Sequence, residues 1–406
     1  MARASLYICN WSLNEPLCQS QTLAYLRALA ADGYKSCLIT FERKPYALSR
    51  GDAERARRRL ATQGICWHPL EYHARSSSMA AAYDVVRGLL TAAFAIVRHG
   101  AQIVHARTSV PAGLGLLLAR ALRRPFLYDA DSELSAEYAD GGYWDRGGMR
   151  FRVLSRVEHL CRRHADAVVV LTDRMRAEFS ARGVQAPMTV IPCCVDVDRF
   201  RFDDRHRTAR RRELGADREK VLVYAGKIGP RYMVEEMMAF ARTVAEVAGR
   251  IRVLVLTHED ANAFRAIATR SGLDGQLLTI RRVSYDEVPG WLLAADAGLA
   301  LIRATDSERG SSPIKISEYL ATGLPVVTTP AIGDLSAAIE ERALGVVLPD
   351  TAESSRVAAA RRLAALWREG DAVRIRCAAW ARATIDVRNV AAARYARVYE
   401  TLLASA

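Results

Sequence analysis

The chain has 406 residues, more than one hydrophobic core usually organises, so two domains are expected. Hydrophobic residues make up 50% and charged residues 25%, an ordinary globular balance that excludes a fibrous or low-complexity protein. The net charge of +13 favours an anionic membrane surface, a lipid-linked acceptor or a phosphate-rich substrate, or only reflects a solvated arginine-rich surface. No zinc finger, RNA-recognition signature or base-reading helix is present, so no nucleic-acid partner is predicted.

The cysteines and the first residues of the chain indicate the cellular compartment in which the protein is expected. The eight cysteines form no CxxC pair and no zinc spacing, which predicts free thiols in a reducing cytosol. The chain enters a strand-like segment at Leu6 without the features of a signal peptide. The most apolar helix candidate, 79–97, contains Asp84 and Arg87, so we expect a buried or interfacial helix and not a membrane span. The expected location is the cytoplasm, including the inner face of the membrane.

Short β-branched runs alternate with helical periodicity along the whole chain, a pattern typical of parallel α/β sheets. Between the first two strands, Leu23, Leu26 and Ala30 share one helix face, and Gly33 ends that helix. The strands predicted in the first half are 6–9, 37–40, 65–68, 103–106, 126–129, 168–171 and 189–191.

The charge-dense stretch 196–220 is interpreted as the connection between two domains. A second strand series follows at 221–224, 253–256, 277–280, 298–302, 326–329 and 346–348. The prediction is an α/β fold of two doubly wound, Rossmann-like domains, 1–198 and 199–385, facing across a cleft. Helix 386–406 is expected to pack back across the hinge. Ligands of such sheets bind at the carboxyl ends of the strands.

The strongest local signal is the segment 310–327. Ser312 is a good N-cap and Pro313 suits the first helical position, where a missing N–H has no cost. Gly323 is expected to end the helix, and Pro325 leads into the next strand. Local rules therefore predict one short helix.

Two charged residues of this helix point to a ligand. Lys315 lies in the first turn, where the helix macrodipole makes a cation unfavourable by ~0.3–1 kcal/mol, and a bound anion reverses that penalty. Glu318 lies on the same face, about 7.5 Å beyond Pro313 at ~1.5 Å per residue, where a carboxylate can accept both hydroxyls of a ribose. The alternative is a simple surface pair of Lys315 and Glu318.

The segment resembles the sugar-nucleotide motif of retaining GT-B glycosyltransferases, in the family-4-like group (glycosyltransferase group 1). The resemblance implies that the helix start holds a diphosphate and that Glu318 holds the ribose. The group usually has another glutamate eight positions before Glu318, where this chain has Gly310. The resemblance then leaves the sugar contact either lost or made by backbone N–H groups. The residues implied at the helix start are Ser311, Ser312, Pro313 and Ile314.

Two more segments of the second half carry the resemblance. Residues 224–229 resemble the group's first strand and loop, which places Gly226 and the basic Lys227 beside the donor phosphates. A solvated loop lysine is the alternative for Lys227. Arg231 is the nearest candidate for a second basic residue, with Arg303 and Arg309 as rivals. Residues 281–289 resemble the loop that holds the base through backbone around Val283.

The first half is less specific. The hinge-like segment 190–196 has Cys193-Cys194 where the group has Asn-Gly, and the loop 10–16 lacks the group's glycines. His105, at a strand end, is a candidate donor to the sugar, and a core histidine is the equal alternative. Asp131 follows another strand near a position that is often basic in the group, and is a candidate catalytic residue.

The predicted reaction is transfer of a sugar from a nucleotide-diphosphate sugar, a UDP- or GDP-sugar, to an unidentified polysaccharide, glycolipid or lipid-linked acceptor. Lys227, Arg231 and Lys315 would stabilise the leaving diphosphate, so neither metal nor cofactor is expected. Retention of configuration is implied by the resemblance alone. The alternatives are a nucleotide-sugar 2-epimerase-like GT-B enzyme and a non-catalytic sugar-nucleotide-binding partner subunit. A dinucleotide oxidoreductase is disfavoured because no GxGxxG follows the first strand of either half.

Overall fold

The computed structural model describes residues 3–73 and 78–405, without the side chain of Ser78. The chain divides into two compact units: unit 1 is Met1–Cys194 with Val387–Ala406, and unit 2 is Val195–Asp386. The first boundary lies four residues before the predicted residue 198, and the second lies one residue after 385.

Unit 1 contains a seven-stranded parallel sheet with the strand order β3-β2-β1-β4-β5-β6-β7. Both faces of the sheet are buried, as expected for parallel strands: Leu6 and Ile8 of the first strand enter one core, and Tyr7 and Cys9 enter the other. Each strand predicted in the first half is present. The strands are β1 (Ala4–Ile8), β2 (Lys35–Glu42), β3 (Ile65–Glu71), β4 (Ile103–Arg107), β5 (Phe126–Ala130), β6 (Ala167–Val170) and β7 (Met188–Val190).

Helices connect the strands of unit 1 on both faces of the sheet. A π-helical segment, Cys18–Leu23, runs into the first α-helix, and a short 3-10 turn spans Lys44–Tyr46. The α-helices are α1 (Ala24–Ala31), α2 (Arg50–Thr62), α3 (Ser78–His99), α4 (Ser109–Leu122), α5 (Leu134–Asp140), α6 (Met149–His164) and α7 (Asp173–Ala181).

Helix α3 is long and apolar enough to cross a membrane, with a mean hydropathy of 1.5 over its most apolar window, of which 28% is buried. Asp84 and Arg87 were expected to exclude a membrane span, but by length and composition alone the helix could still cross a membrane. In the structure, Ala92, Ala95 and Ile96 pack one side of α3 into the core of unit 1. Asp84 is buried and accepts hydrogen bonds from the backbone and ring of His73, at 2.7 and 2.8 Å.

Unit 2 contains a six-stranded parallel sheet with the order β10-β9-β8-β11-β12-β13. Each strand predicted in the second half is present. The strands are β8 (Lys220–Ala225), β9 (Ile251–Leu256), β10 (Leu278–Arg281), β11 (Ala297–Ala300), β12 (Val326–Thr328) and β13 (Gly345–Val347). The helices are α8 (Asp204–Leu214), α9 (Val234–Ala248), α10 (Ala261–Arg270), α11 (Val288–Leu292), α12 (Ile314–Ala321), α13 (Leu335–Glu341), α14 (Glu353–Arg368) and α15 (Asp371–Thr384), with 3-10 turns at Gly275–Leu277 and Ser307–Gly310.

The charge-dense stretch 196–220 is more than a connection, because it forms α8 and packs on unit 2. Arg207 and Arg211 donate to the buried carboxylate of Asp296, at 2.8 and 2.9 Å. Burial alone would raise the pKa of Asp296, but the two guanidinium groups outweigh it and hold the pKa below its usual value. Arg207 and Arg211 thus fasten α8 to the interior of unit 2, whereas Arg205 and Arg212 are exposed.

The C-terminal segment belongs to unit 1. A π-helical segment, Val387–Ala392, leads into α16 (Ala393–Ala404). The Tyr395 hydroxyl donates to the buried carboxylate of Asp129 at 2.6 Å, and the Tyr399 hydroxyl lies 2.8 Å from Nδ1 of His105. Two Rossmann-like α/β units are therefore present, which confirms the predicted fold class.

Candidate active site

Helix α12 is held against the sheet of unit 2 by a close approach to β11. A Cβ atom at Gly298 would lie 2.2 Å from the ring of Tyr319, so only glycine leaves room for that ring. The Tyr319 hydroxyl accepts a hydrogen bond of 2.8 Å from the Ala225 N–H at the end of β8. Tyr319 of the helix therefore packs against the start of β11 and reaches the carboxyl end of β8, the edge of the sheet where ligands of such folds bind.

The start of α12 differs by one residue from the expected capping. Pro313, with ψ of 118°, is the N-cap in place of Ser312, and Ile314 is the first helical residue. The carbonyl of Pro313 accepts the Ile316 N–H at 3.0 Å, as expected of the residue that precedes the first helical turn. Pro313 itself makes no side-chain capping hydrogen bond. Ser311, Ser312 and Pro313 are buried and Ile314 is half-buried, so an anion must reach a recessed helix start.

Lys315 is the most unusual group of this region. Its ammonium lies 3.6 Å from the ring centroid of Tyr232 and 4.4 Å from that of Tyr224. Among the described residues it has no hydrogen-bond acceptor, although the residue is only 6% exposed. Burial first, and then the charge of Arg231, hold the pKa of Lys315 well below its usual value. A Cβ atom at Gly226 would lie 2.7 Å from the Nζ atom, so that glycine permits the approach.

The structure brings the other predicted cations to the same place. The charges of Arg231 and Lys227 both lower the pKa of Lys315, which requires them to lie nearby. Lys227 is exposed, and its carbonyl accepts the Tyr224 hydroxyl at 2.7 Å. Arg231 Nε lies 2.6 Å from the buried carboxylate of Glu308. Two basic residues from the loop after β8 thus lie near Lys315 at the start of α12.

Sequence reasoning missed Glu308, which also accepts the Ser311 hydroxyl at 2.8 Å. Gly310 lies in the same 3-10 turn, two residues later. The signal that could have found Glu308 is an acidic residue two positions before the place where the family has its glutamate.

Glu318 is buried, so it does not form the exposed surface pair considered as the alternative. Burial raises the pKa of Glu318 to about 7, against a hydrogen bond from Tyr285 that lowers it. Tyr285 follows the buried Val283 by two residues, so the loop predicted to hold the base lies beside Glu318. Arg199 stacks on Tyr285, with its Cζ 4.4 Å from the ring centroid, and donates to the Tyr285 carbonyl at 2.9 Å. Tyr285 and Arg199 were not foreseen.

The two residues predicted in the first half, His105 and Asp131, belong to unit 1. Both ring nitrogens of the buried His105 have partners. The Nδ1 atom lies 2.8 Å from the Tyr399 hydroxyl, and the Nε2 atom lies 3.3 Å from the Asp129 carboxylate. This geometry favours the core-histidine alternative. Asp131 lies just after β5, and burial raises its pKa to about 7. Its catalytic role stays a prediction.

Two Rossmann-like units, one of them with basic residues near a helix start beside the end of β8, are the architecture expected of a glycosyltransferase of the GT-B type. Residues 18–194 match the family model described as a glycosyl transferase 4-like domain. Residues 219–365 match the model for glycosyl transferases group 1. The chain is therefore a GT-B glycosyltransferase whose two halves match these two models, and it is not an oxidoreductase.

Solved structures share the fold. Anabaena HepE, solved with UDP and glucose, is 17% identical, with a TM-score of 0.73 over 99% of this chain and 100% of that chain. Sucrose-phosphate synthase from Thermosynechococcus elongatus is 16% identical, with a TM-score of 0.77 over 100% of both chains. WaaG, a glycosyltransferase involved in lipopolysaccharide biosynthesis, is 15% identical, with a TM-score of 0.69 over 98% of this chain and 99% of that one. Comparison with curated protein sequences gave no significant match.

Proposed function

We propose that unit 2 binds a UDP-sugar and that the enzyme transfers its sugar, with retention of configuration and without a metal ion, to a glycan or lipid-linked acceptor. The observation that carries this proposal is the Lys315 ammonium. It is buried without a hydrogen-bond acceptor among the described residues and lies in the first turn of α12, near the helix N-terminus. A diphosphate supplies the missing acceptor and the negative charge that the helix dipole favours.

The cations give the site its chemistry. Negative charge gathers on the leaving nucleoside diphosphate as the anomeric bond breaks, and fixed positive groups lower that barrier most. Lys315, Lys227, Arg231 and the N–H groups of Ile314 and Lys315 supply this charge, so the proposed reaction needs no bridging metal. Glu308 keeps the Arg231 guanidinium in place.

The donor is proposed to be a UDP-sugar because HepE was also solved with UDP-glucose. The carboxylate of Glu318 accepts the ribose hydroxyls in exchange for the Tyr285 hydroxyl. Backbone around Val283 holds the base. A GDP-sugar is the second donor to test.

Binding and turnover of UDP- and GDP-sugars test the site. We expect Glu318→Ala to weaken nucleotide binding and Lys227→Ala to lower donor hydrolysis more than binding, because the exposed lysine acts mainly on the leaving group. Lys44→Ala, an exposed lysine of unit 1, is the control. Unchanged binding and hydrolysis in both site variants would reject the assignment, and donor binding without hydrolysis across the panel would favour a non-catalytic sugar-nucleotide-binding partner subunit.

Two measurements test the finer claims. The anomeric configuration of the first product, followed by NMR, is expected to match that of the donor, and inversion would contradict retention. Adding Mg²⁺ or Mn²⁺ to metal-depleted enzyme is expected to leave the hydrolysis rate unchanged, and a large increase would contradict metal independence.

Helix α3 supports a peripheral position on the membrane. Between residues 79 and 97, all of which are described, no charged side chain is exposed. The outward side chains recur at helical spacing, three or four positions apart. They are Met79, Tyr83, Val86, Leu90, Phe94 and Val97. An apolar side of this length fits the surface layer of a bilayer.

Charge makes an anionic bilayer the proposed occupant of this surface. Helix α4 packs against both α3 and α6 and exposes Leu117, and α6 exposes Val153. The one acid of α6, Glu158, is buried, whereas its arginines 150, 152, 156 and 163 are exposed. Arginines beside apolar side chains attract anionic headgroups, at about 1 kcal/mol each. The enzyme is thereby proposed to work at the inner face of the membrane on a lipid-linked acceptor of polysaccharide biosynthesis.

Vesicle sedimentation tests this contact. The protein is expected to bind vesicles that contain phosphatidylglycerol and not vesicles of phosphatidylcholine alone, and Leu90→Glu is expected to reduce the bound fraction. Ile375→Glu changes an equally exposed apolar residue of unit 2 and is the control. A stable dimer in solution that Leu90→Glu dissociates would instead assign the surface to a second copy.

A further inference from the structure

A cluster of metal-ligand side chains lies in unit 1, apart from the residues proposed to hold the donor. Cys66 and His68 are two positions apart on β3, so their side chains project from the same face of the strand. His99 is the last residue of α3. The fold therefore brings three ligand side chains together from the edge strand of the sheet and from the end of a helix.

The distances fit a tetrahedral metal ion. The Cys66 Sγ atom lies 3.4 Å from Nε2 of His68 and 3.4 Å from Nε2 of His99. The three ligand atoms all lie within 4.8 Å of one another. In a tetrahedral zinc site, Zn–S of about 2.3 Å and Zn–N of about 2.0 Å place sulfur and nitrogen ligands about 3.5 Å apart. The two sulfur–nitrogen distances thus already match the edges of such a tetrahedron.

We infer that Cys66, His68 and His99 bind one Zn²⁺ ion. A thiolate with two imidazoles selects zinc over Mg²⁺ and Ca²⁺, which prefer oxygen ligands. Cys66 and His68 are half-buried and His99 is exposed, so water has access to the fourth coordination position. The ion binds the thiolate of Cys66, and the thiol proton is released to solvent.

The ion would join the edge strand of the sheet to the end of a helix. Strand β3 is an edge strand that pairs with β2 alone, and α3 ends at the residue that supplies the third ligand. A metal that binds only the folded protein stabilises it in proportion to the logarithm of its concentration. The expected role is structural, a clamp between the edge of the sheet and the end of α3.

The site is tested on the full-length protein after dialysis against a chelator. Titration with Zn²⁺ is expected to show one equivalent bound and a higher melting temperature, and Mg²⁺ is expected to have neither effect. Co²⁺ is expected to give a tetrahedral d–d spectrum with a thiolate charge-transfer band. His99→Ala, at an exposed position, should weaken zinc binding at least about tenfold without unfolding the chain.

His206→Ala is the matched control, because His206 is an exposed histidine of unit 2. Cys66→Ser should remove the charge-transfer band. Loss of zinc binding in His99→Ala with full retention in His206→Ala supports the site. The inference fails if zinc does not bind, if binding survives in His99→Ala, or if Cys66 proves to be oxidised with its neighbour Cys37 on β2. Nucleotide binding by unit 2 is measured in parallel, so that a failure of the zinc site can be distinguished from a failure of the proposed nucleotide-sugar site.

Discussion

Unit 1 and unit 2 have the same order of central strands but differ in how one buried cation near the strand ends is paired. In unit 1, Arg107 at the end of β4 donates to Asp129 of β5 at 2.8 Å, and Tyr395 of α16 donates to the same carboxylate. In unit 2, Lys315 lies over the central strands and has no acceptor among the described residues. The Arg107 guanidinium of unit 1 is paired within its own unit, whereas the Lys315 ammonium of unit 2 can be paired by a bound anion.

The difference shows that one scaffold can place strand-end charges for stability or for binding. A buried ion pair with further hydrogen bonds can be tolerated, but a buried cation without a partner costs free energy until an anion arrives. The contrast makes four predictions.

The largest effect is expected in unit 1. Asp129→Ala leaves the Arg107 guanidinium buried without its carboxylate and should lower the free energy of unfolding by about 3–5 kcal/mol. Denaturant unfolding measures this change, with the exposed Asp32→Ala as the control. At temperatures where the variant stays folded, nucleotide binding should be normal. A loss below about 1 kcal/mol would show that the pair does not hold unit 1 together.

The second largest effect is expected where α12 packs against β11. Gly298→Ala drives a methyl group into the Tyr319 ring and should cost about 1–3 kcal/mol, while moving α12 and weakening nucleotide binding. Gly275→Ala, where a Cβ atom meets nothing within 4 Å, is the control. Normal nucleotide affinity in Gly298→Ala would mean that the position of α12 does not matter for the donor.

Lys315→Met should separate stability from binding. Removing a buried amine that lacks an acceptor is expected to raise the free energy of unfolding of the nucleotide-free protein by about 1 kcal/mol. The same variant should bind UDP more weakly. Melting temperatures with and without UDP measure both effects. A less stable variant would show that the contacts of Lys315 with Tyr224 and Tyr232 outweigh its desolvation.

The smallest effect is a pH dependence. Burial gives Glu318 a pKa of about 7 in the free protein, and the proposed ribose contact needs the carboxylate. Below pH 7 a proton must leave before the ribose binds, so UDP affinity should fall as pH decreases, by at most about tenfold per pH unit. Glu318→Gln should flatten this part of the profile, as calorimetry at several pH values can show. An unchanged slope in Glu318→Gln would assign it to another group.

Much of the fold and part of the site followed from sequence, for local reasons. β-branched runs predicted every strand of both sheets, because parallel strands are buried on both faces. Lys315 and Glu318 were found because helix-start rules made a cation in the first turn conspicuous. Three further residues around them were not found, since Glu308, Tyr232 and Tyr285 join the site only through loop conformations.

Sequence by itself determined that this chain forms two Rossmann-like halves and that one helix start in the second half should attract an anion, because strand burial and helix capping act over a few residues. Tertiary structure decided the rest. It placed Arg207 and Arg211 of α8 against Asp296, gave His105 a partner from α16, and brought His99 to Cys66, 33 positions earlier in the chain. Tertiary packing determines which distant residues come into contact, and the local spacing of residues in the sequence does not reveal those contacts.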